Sequence, residues 1–215
     1  MLKNNKWQLL MPSVVILLPA VVGLLIWNRL PDRIATHWSL DGTPDGWSGK
    51  SLAVFGIPAI LFVLHWVCVF FTARDPKNKD KNSLAFRWVL WILPIISLMA
   101  CGLIYAAALG SDVNIGITVR VLIGLLFVIL GSYMPKCRQN YVIGIKVAWT
   151  LRDEENWDRT HRFAGRLWVS GGLFLMASVF ADVKIVQYVF LPLIFIMAFA
   201  PMVYSYIYYR KQKKS

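Results

Sequence analysis

Long apolar runs alternate with short polar segments along this chain, and the alternation predicts a membrane protein. An apolar helix needs roughly 17–25 residues to cross a hydrocarbon core of about 30 Å. Five runs meet this length: Leu9–Trp27, Leu52–Thr72, Phe86–Leu109, Ile117–Met134 and Ile185–Tyr208. A sixth run, Leu167–Ala181, reaches it if Arg166 extends its charged head to the interface. The pattern predicts an all-α integral membrane protein, a helical bundle of six spans.

Composition excludes an ordinary water-soluble domain. The chain has 215 residues, of which 58% are hydrophobic and only 16% are charged, and its mean hydropathy is +0.57. Soluble domains carry about 25% charged residues. One water-soluble core cannot bury this much apolar surface, so the bilayer must act as solvent for most of the chain.

The net charge of +12 is distributed unevenly about the predicted spans. Only five of the 23 basic residues fall on one predicted side, namely Arg29, Arg33, Lys50, Arg120 and Lys184. Positively charged loops stay on the cytoplasmic side, so we expect cytoplasmic N- and C-termini. The basic C-terminal residues Arg210, Lys211, Lys213 and Lys214 favour anionic lipids as partners. This placement argues against direct nucleic acid binding.

Three regions follow from the pattern. Residues 1–72 hold two spans and an external loop at 28–51, residues 73–134 form a two-span helical hairpin, and residues 135–215 hold a long cytoplasmic segment and two more spans. The first span is expected to be a retained anchor, because Asn28-Arg29-Leu30-Pro31 follows it where a cleavage site would have small residues. Arg120, one turn inside the fourth span, is expected to extend outward.

The external loop carries turn signals and aromatic residues. Pro44-Asp45-Gly46 predicts a tight turn and Asp41-Gly42 a second one, so we expect a small folded cap. The residues that could present an aromatic and polar surface to an external ligand are His37, Trp38, Asp45, Trp47 and Lys50. The alternative is that both tryptophans only anchor the loop at the head groups. Because the acidic spacing fits no calcium loop, we predict no metal.

The cytoplasmic segment predicts an amphipathic helix over residues 150–166. Thr150 followed by Asp153 indicates the helix start, and the pairs Glu155–Arg159 and Asp158–Arg162 have the favourable acid-first order. Trp157, His161, Ala164 and Trp168 share one face, so the helix is expected to lie on the inner membrane surface and to continue into the fifth span. On residue chemistry alone, an interfacial helix with merely solvated charges remains the alternative.

Few residues within the spans suggest chemistry. His65 lies near the middle of the second span, where a proton-relay or ligand role competes with a histidine hydrogen-bonded across helices. The three cysteines form no cluster with each other or with histidine, so neither a disulfide nor a zinc site is indicated.

Two motifs resemble those of a known family. The first runs Asn140-x-x-Ile143-Gly144-Ile145-Lys146-x-x-Trp149-Thr150-Leu151, then Trp157-x-x-Thr160-His161-Arg162-x-Ala164-Gly165-Arg166-Leu167-Trp168-Val169 and Gly171-Gly172. It is similar to the motif of SdpI-type immunity proteins. The second, His37-Trp38…Gly42-x-Pro44-Asp45-Gly46-Trp47-x-x-Lys50, resembles the N-terminal domain that often accompanies it. One departure is Lys146-Val147-Ala148, where the family commonly has Arg-Thr-Pro.

The resemblance implies a multi-pass protein of the bacterial cell membrane that protects the cell from a secreted SDP-like peptide toxin. It also implies a signalling role, in which the toxin-occupied protein retains a transcriptional repressor at the membrane. The external residues His37, Trp38, Asp45, Trp47 and Lys50 then become candidates for toxin contact. The candidates for the signalling element are Asn140, Trp149, Trp157, Thr160, His161, Arg162 and Arg166.

Two other functional classes are alternatives to immunity. A small transporter or exporter of a peptide or other small substrate predicts polar residues in several spans, and beyond His65 and Arg120 few are present. An enzyme would need an intramembrane carboxylate pair, a metal-binding helix or a Ser–His arrangement, and the sequence has none of these patterns. We therefore predict no catalytic residue and no cofactor.

Overall fold

The computed structural model describes residues 6–76 and 84–213. Several residues that contribute to the predicted charge asymmetry, Lys3, Lys77, Lys79, Lys81 and Lys214, lie outside the described residues. Cytoplasmic termini therefore stay a prediction.

The described chain is mainly helical, and its long helices are those that hydropathy predicts. The helices are α1 (Lys6–Leu25), α2 (Ile57–Arg74), α3 (Leu84–Ala108), α4 (Ile115–Tyr133), α5 (Ala148–Arg152), α6 (Glu154–Ala177) and α7 (Val183–Gln212). A π-helical turn, Leu52–Gly56, precedes α2. Among residues 6–76 and 84–213, six helical segments are long and apolar enough to cross a membrane: Trp7–Leu25, Leu52–Arg74, Phe86–Ala108, Ile115–Lys136, Glu154–Phe180 and Val183–Gln212. The predicted six-span bundle is confirmed.

The chain divides into two compact units. The first is Met1–Arg74 with Asp80–Ile115, and the second is Asp75–Lys79 with Gly116–Ser215. Helix α3 therefore groups with the first unit and α4 with the second.

Polar contacts within the first unit fasten α3 to α1. Ser97 donates to the carbonyl of Ile16 (2.9 Å), and the Tyr105 hydroxyl donates to the carbonyl of Pro19 (3.0 Å). The apolar core beside them consists of Leu30, Ile34, Ala53, Val54, Cys101, Ile104 and Tyr105. Hydrogen bonds between spans are worth about 0.6–2 kcal/mol each, a modest amount because groups freed in the membrane find other partners.

The predicted cap is a β-hairpin, a feature that the all-α expectation omitted. Strands β1 (Arg33–Trp38) and β2 (Pro44–Gly49) are antiparallel, with Ile34 opposite Ser48 and Ala35 opposite Trp47. Ile34 and Ala35 are buried, and Ile34 belongs to the apolar core of the first unit. The prediction of a folded loop is confirmed.

The turn of this hairpin lies at Ser39–Thr43, so the prediction of a tight turn at Pro44-Asp45-Gly46 was wrong. Gly42 has φ = 87°, and the predicted turn at Asp41-Gly42 is confirmed. The Asp41 carboxylate accepts from the Thr43 amide (2.9 Å) and hydroxyl (2.7 Å), and also from the Ser39 hydroxyl. These bonds, led by that from Ser39, lower the pKa of Asp41 to about 2.

In the second unit, α4 and α6 touch through facing glycines. A Cβ on Gly165 would lie 2.6 Å from the Gly131 carbonyl oxygen, and one on Gly131 would lie 2.8 Å from the Gly165 carbonyl oxygen. Gly124 and Gly172 repeat the arrangement seven residues away on each helix. Small residues at such positions let spanning helices approach closely. Because lipid tails are as apolar as the side chains, the hydrophobic effect does not drive helix association in the bilayer, and close van der Waals packing stabilises it instead.

The predicted helix start at Thr150 was wrong. Helix α5 ends at Arg152, and Asp153 is extended (φ −131°, ψ 115°) and caps α6 by accepting from the Glu155 amide at 2.9 Å. Aspartate is favoured at this position because its carboxylate satisfies a free helix amide. Helix α6 then runs unbroken through Gly165 and Arg166 to Ala177, so the predicted continuity with the fifth span is confirmed. The predicted placement of this helix on the inner membrane surface was wrong, because the face of Trp157, His161 and Ala164 is buried within the protein.

Two expectations about arginines also changed. The Glu155–Arg159 ion pair is present at 2.8 Å, but Arg162 donates to the backbone carbonyl of Asp158 (3.3 Å) and not to its carboxylate. Arg120 does not extend outward: it is buried and donates to the carbonyls of Ser178 (3.0 Å) and Gly116 (3.2 Å). Two backbone acceptors compensate for burial of this guanidinium.

Candidate functional site

The hairpin brings His37 and Asp45 together across its strands. The His37 Nδ1 atom contacts the Asp45 carboxylate, and both side chains are exposed, by 74% and 46%. Gly46 lies opposite His37, and a Cβ at position 46 would lie 2.8 Å from the His37 Cβ. Glycine at this position is what lets the imidazole lie across β2.

The other candidates on the hairpin divide between surface and interior. Trp47 is 54% exposed, whereas Trp38 packs against the apolar core of the first unit. Lys50 is also engaged: its ammonium lies 5.2 Å from the Trp27 ring centre and 3.3 Å from an Asp32 carboxylate oxygen. His37, Asp45 and Trp47 therefore form the accessible surface, and Trp38 and Lys50 hold the hairpin in place.

Asn140 organises the loop that precedes α5. Its side-chain oxygen accepts from the amides of Val142 (2.9 Å) and Ile143 (2.6 Å), and its amide group donates to the Arg138 carbonyl (2.9 Å). The next residue, Tyr141, donates its amide to the Asp75 carboxylate at 2.7 Å. Asn140 is buried, so this arrangement fixes the loop from within.

Trp157 and His161 hold the same loop against α6. The two rings stack with centres 4.0 Å apart, and both are buried. Trp157 Nε1 donates to the Cys137 carbonyl at 2.7 Å. His161 Nδ1 lies 2.8 Å from the Trp157 carbonyl, and its Nε2 lies 3.1 Å from the Ile145 amide. A carbonyl only accepts and an amide only donates, so His161 is neutral with its proton on Nδ1.

Gly144 explains how the loop reaches His161. Its φ of 104° belongs to the region that favours glycine, and a Cβ there would overlap His161 Nε2 and lie 3.1 Å from the Trp157 ring. The Cys137 thiol beneath this loop is also buried, and burial raises its pKa. A thiol in such surroundings is a poor nucleophile.

Trp149 and Thr160 meet at a second cluster, around Ser205 of α7. Trp149 Nε1 donates to the Ser205 hydroxyl. Thr160 donates to the Asn156 side-chain oxygen (3.0 Å), and the Asn156 amide group donates to the Ser205 carbonyl (3.0 Å). Asn156 and Ser205 were not predicted. The available signal was a serine within the apolar run of α7 and an asparagine one helical turn before Thr160.

Arg162 and Arg166 lie apart from these buried clusters. Both side chains are exposed and, with Arg159 and Tyr204, they line a recess of about 260 Å³. We call residues 137–161 the polar segment. The seven signalling candidates therefore separate into five that position the polar segment and two that belong to an accessible charged surface.

His65 is fully buried within α2. Within residues 6–76 and 84–213, neither of its ring nitrogens has a hydrogen-bond partner. The expected bond across helices is therefore not formed in the described part of the chain.

Comparisons with known proteins agree with both motifs. Residues 136–205 match the SdpI/YfhL protein family, and residues 14–62 match a domain of unknown function (DUF1648). The chain is 27% identical over 199 residues to the immunity protein SdpI of Bacillus subtilis (strain 168), which covers 92% of this chain and 94% of that protein. No solved structure matches the chain.

The predicted resemblance to SdpI-type immunity proteins is thereby confirmed. With six helices able to span a membrane, the chain is a multi-pass protein of the bacterial cell membrane. The similarity supports a role in immunity, and the SdpI immunity proteins are not an enzyme family.

Proposed function

We propose that this chain is an immunity protein that protects the bacterial membrane against a secreted SDP-like peptide toxin, which it contacts through the β-hairpin. The similarity to an immunity protein over 92% of the chain carries this proposal. The matched ranges 14–62 and 136–205 include the hairpin and the polar segment, so both candidate surfaces lie inside them.

The hairpin has properties suited to peptide contact. Trp47 offers a large, exposed amphipathic ring on an ordered strand, and aromatic residues of this kind dominate the energetics of protein interfaces. His37 and Asp45 add exposed polar groups close by. Because Asp41, Trp38 and Lys50 already order the loop, binding does not have to meet the full entropic cost of ordering it.

A survival assay tests this proposal. Toxin-sensitive bacteria expressing the chain are challenged with an SDP-like peptide, and survivors are counted. We expect wild-type protection to fall at least tenfold in Trp47→Ala and His37→Ala, and to persist in Phe180→Ala. Phe180 is a matched control because it is a 93% exposed aromatic residue outside the hairpin. Full protection by both hairpin variants, at unchanged protein level, would exclude the hairpin as the toxin contact.

The proposal includes a second role, in which the polar segment retains a transcriptional repressor once toxin is bound. Its support is an ordered segment held by buried bonds of Trp157 and His161, with Arg138, Tyr141, Lys146 and Arg152 exposed around it. The test is transcription of the chain's own gene after toxin challenge in its native host. A rise that disappears in Tyr141→Ala, with protection intact, is expected. No rise in the wild type would contradict the signalling role.

Peptide export is a second candidate function, and His65 is the observation that favours it. An intramembrane histidine without a described partner is the kind of group on which proton-coupled transport depends. Export predicts that replacement of His65 abolishes protection while the hairpin remains intact.

A further inference from the structure

The polar half of α6 carries an arginine surface distinct from its buried face. Arg159, Arg162 and Arg166 are spaced by three and four residues, so they follow one face of the helix. Together with Tyr204 of α7 they line the recess of about 260 Å³. We call these four residues the arginine recess.

The arginine recess has more positive charge than its neighbours neutralise. Arg159 is paired with Glu155 at 2.8 Å and lies 5.0 Å from the Tyr208 ring centre. Arg162 and Arg166 use Nε for long contacts to the carbonyls of Asp158 (3.3 Å) and Arg162 (3.5 Å). No ion pair involves either of them within the described chain. Their terminal nitrogens therefore retain donors for an incoming anion.

The position of the recess along α6 identifies the kind of anion. Arg166 is followed directly by the apolar run of the fifth span, so these guanidiniums lie where a spanning helix passes the lipid head groups. Phe163 stacks on Tyr204 with ring centres 4.7 Å apart, which joins α6 to α7 at this level. Phe199 and Val203 of α7 are 53% and 56% exposed, and they provide apolar surface that precedes Tyr204 along α7, toward the middle of the span.

We propose that the arginine recess binds the phosphate of an anionic phospholipid. Guanidinium groups match phosphate oxygens with paired N–H donors, and the Tyr204 hydroxyl is a further donor. A phospholipid fits better than a soluble phosphate, because its acyl chains would cover the exposed apolar residues that border the site. The proposal does not depend on immunity, since it concerns how the chain is held in its own membrane.

Native mass spectrometry of the detergent-purified full chain tests the proposal. The probes are dioleoylphosphatidylglycerol, dioleoylphosphatidylcholine and inorganic phosphate. We expect adducts with phosphatidylglycerol, weaker adducts with the zwitterionic phosphatidylcholine, and no competition from equimolar inorganic phosphate. Arg162→Gln/Arg166→Gln should weaken phosphatidylglycerol binding at least tenfold, which corresponds to about 1.4 kcal/mol.

The matched control is Arg138→Gln/Arg152→Gln, which removes the same charge from two exposed positions outside the recess. It should bind phosphatidylglycerol like the wild type. Arg162→Lys/Arg166→Lys should bind with intermediate strength, since lysine keeps the charge but loses the paired donors. Unchanged melting temperatures show that the variants remain folded.

Three results would overturn the proposal. Undiminished phosphatidylglycerol binding by Arg162→Gln/Arg166→Gln would exclude the recess as the site. Equal weakening in the control variant would mean that net charge alone attracts the lipid. Displacement of the lipid by equimolar inorganic phosphate would assign the recess to a soluble anion.

Discussion

His161 accepts a hydrogen bond from the amide of Ile145 at 3.1 Å, and this bond ties the loop before α5 to a helix that begins nine positions later. The imidazole spans the distance between two backbone groups, because its other nitrogen donates to the Trp157 carbonyl. The ring thus works as a structural bridge, and its role in the polar segment is to position the loop.

Replacing His161 by leucine should loosen this loop. Leucine leaves the Ile145 amide without its acceptor, and an unsatisfied group of this kind costs about 1–3 kcal/mol. We expect hydrogen exchange over residues 140–147 to accelerate about tenfold in His161→Leu, measured by mass spectrometry in detergent. His37→Leu, at an exposed histidine, should leave exchange there unchanged. Wild-type protection of the loop in His161→Leu would mean that the ring is not what holds it.

The glycine contact between α4 and α6 predicts a strong effect from one methyl group. Gly165→Ala places a Cβ 2.6 Å from the Gly131 carbonyl oxygen, which is backbone and cannot move without shifting α4. We expect the free energy of unfolding to fall by about 1–3 kcal/mol, measured by denaturant titration in mixed micelles.

Gly102→Ala is the matched control for this effect. It lies inside α3, and a Cβ there meets nothing within 4 Å. Alanine should be neutral or stabilising at this position by up to about 1 kcal/mol, because it is the better helix former. Equal losses in Gly102→Ala and Gly165→Ala would contradict close packing at Gly165.

The substitution His65→Leu distinguishes a packing role of His65 from a role in export. A buried imidazole with no described partner bears a desolvation cost, and leucine removes it. If immunity is by contact at the hairpin, His65→Leu should protect cells fully and unfold at the same or a higher denaturant concentration. Lost protection by a stable, inserted variant would favour export.

The turn at Asp41 predicts resistance of the hairpin to acid. The pKa of Asp41 is lowered from 3.8 to about 2, so its contribution is present above pH 3.8 and disappears as the pH falls through 2. The Thr43 amide should therefore stay protected from hydrogen exchange at pH 4, after correction for the intrinsic rate. Asp41→Ala should lose this protection at every pH. Equal exchange in both proteins would show that the carboxylate does not order the turn.

The spans could be predicted from sequence, because a helix that crosses a bilayer requires a long continuous run of apolar residues. Every backbone group in lipid must be paired within the protein, so runs such as Ile117–Met134 have to be helical. The hairpin was harder to predict, because Pro44 and Gly46 normally indicate turns. Proline is tolerated here at the first residue of an edge strand, and glycine makes room for the His37 side chain.

The candidate site was only partly predictable, because many of its bonds join residues far apart in sequence. The structural role of Asn156 depends on the Ser205 carbonyl, which accepts its hydrogen bond and is 49 residues away in sequence. Helical geometry alone could have predicted one difference between neighbouring residues of the motif. His161 and Arg162 are neighbours in sequence, but consecutive residues point about 100° apart on a helix, so one is buried and the other is exposed.

Immunity to the toxin can be measured directly as the membrane potential of toxin-sensitive bacteria. Cells expressing the chain are loaded with a potential-sensitive dye and exposed to an SDP-like peptide, beside cells that carry an empty vector. We expect the vector cells to depolarise, the wild-type cells to keep their potential, and the cells with Trp47→Ala to depolarise. Depolarisation of wild-type cells, with the protein shown to be inserted in the membrane, would contradict immunity to this class of toxin.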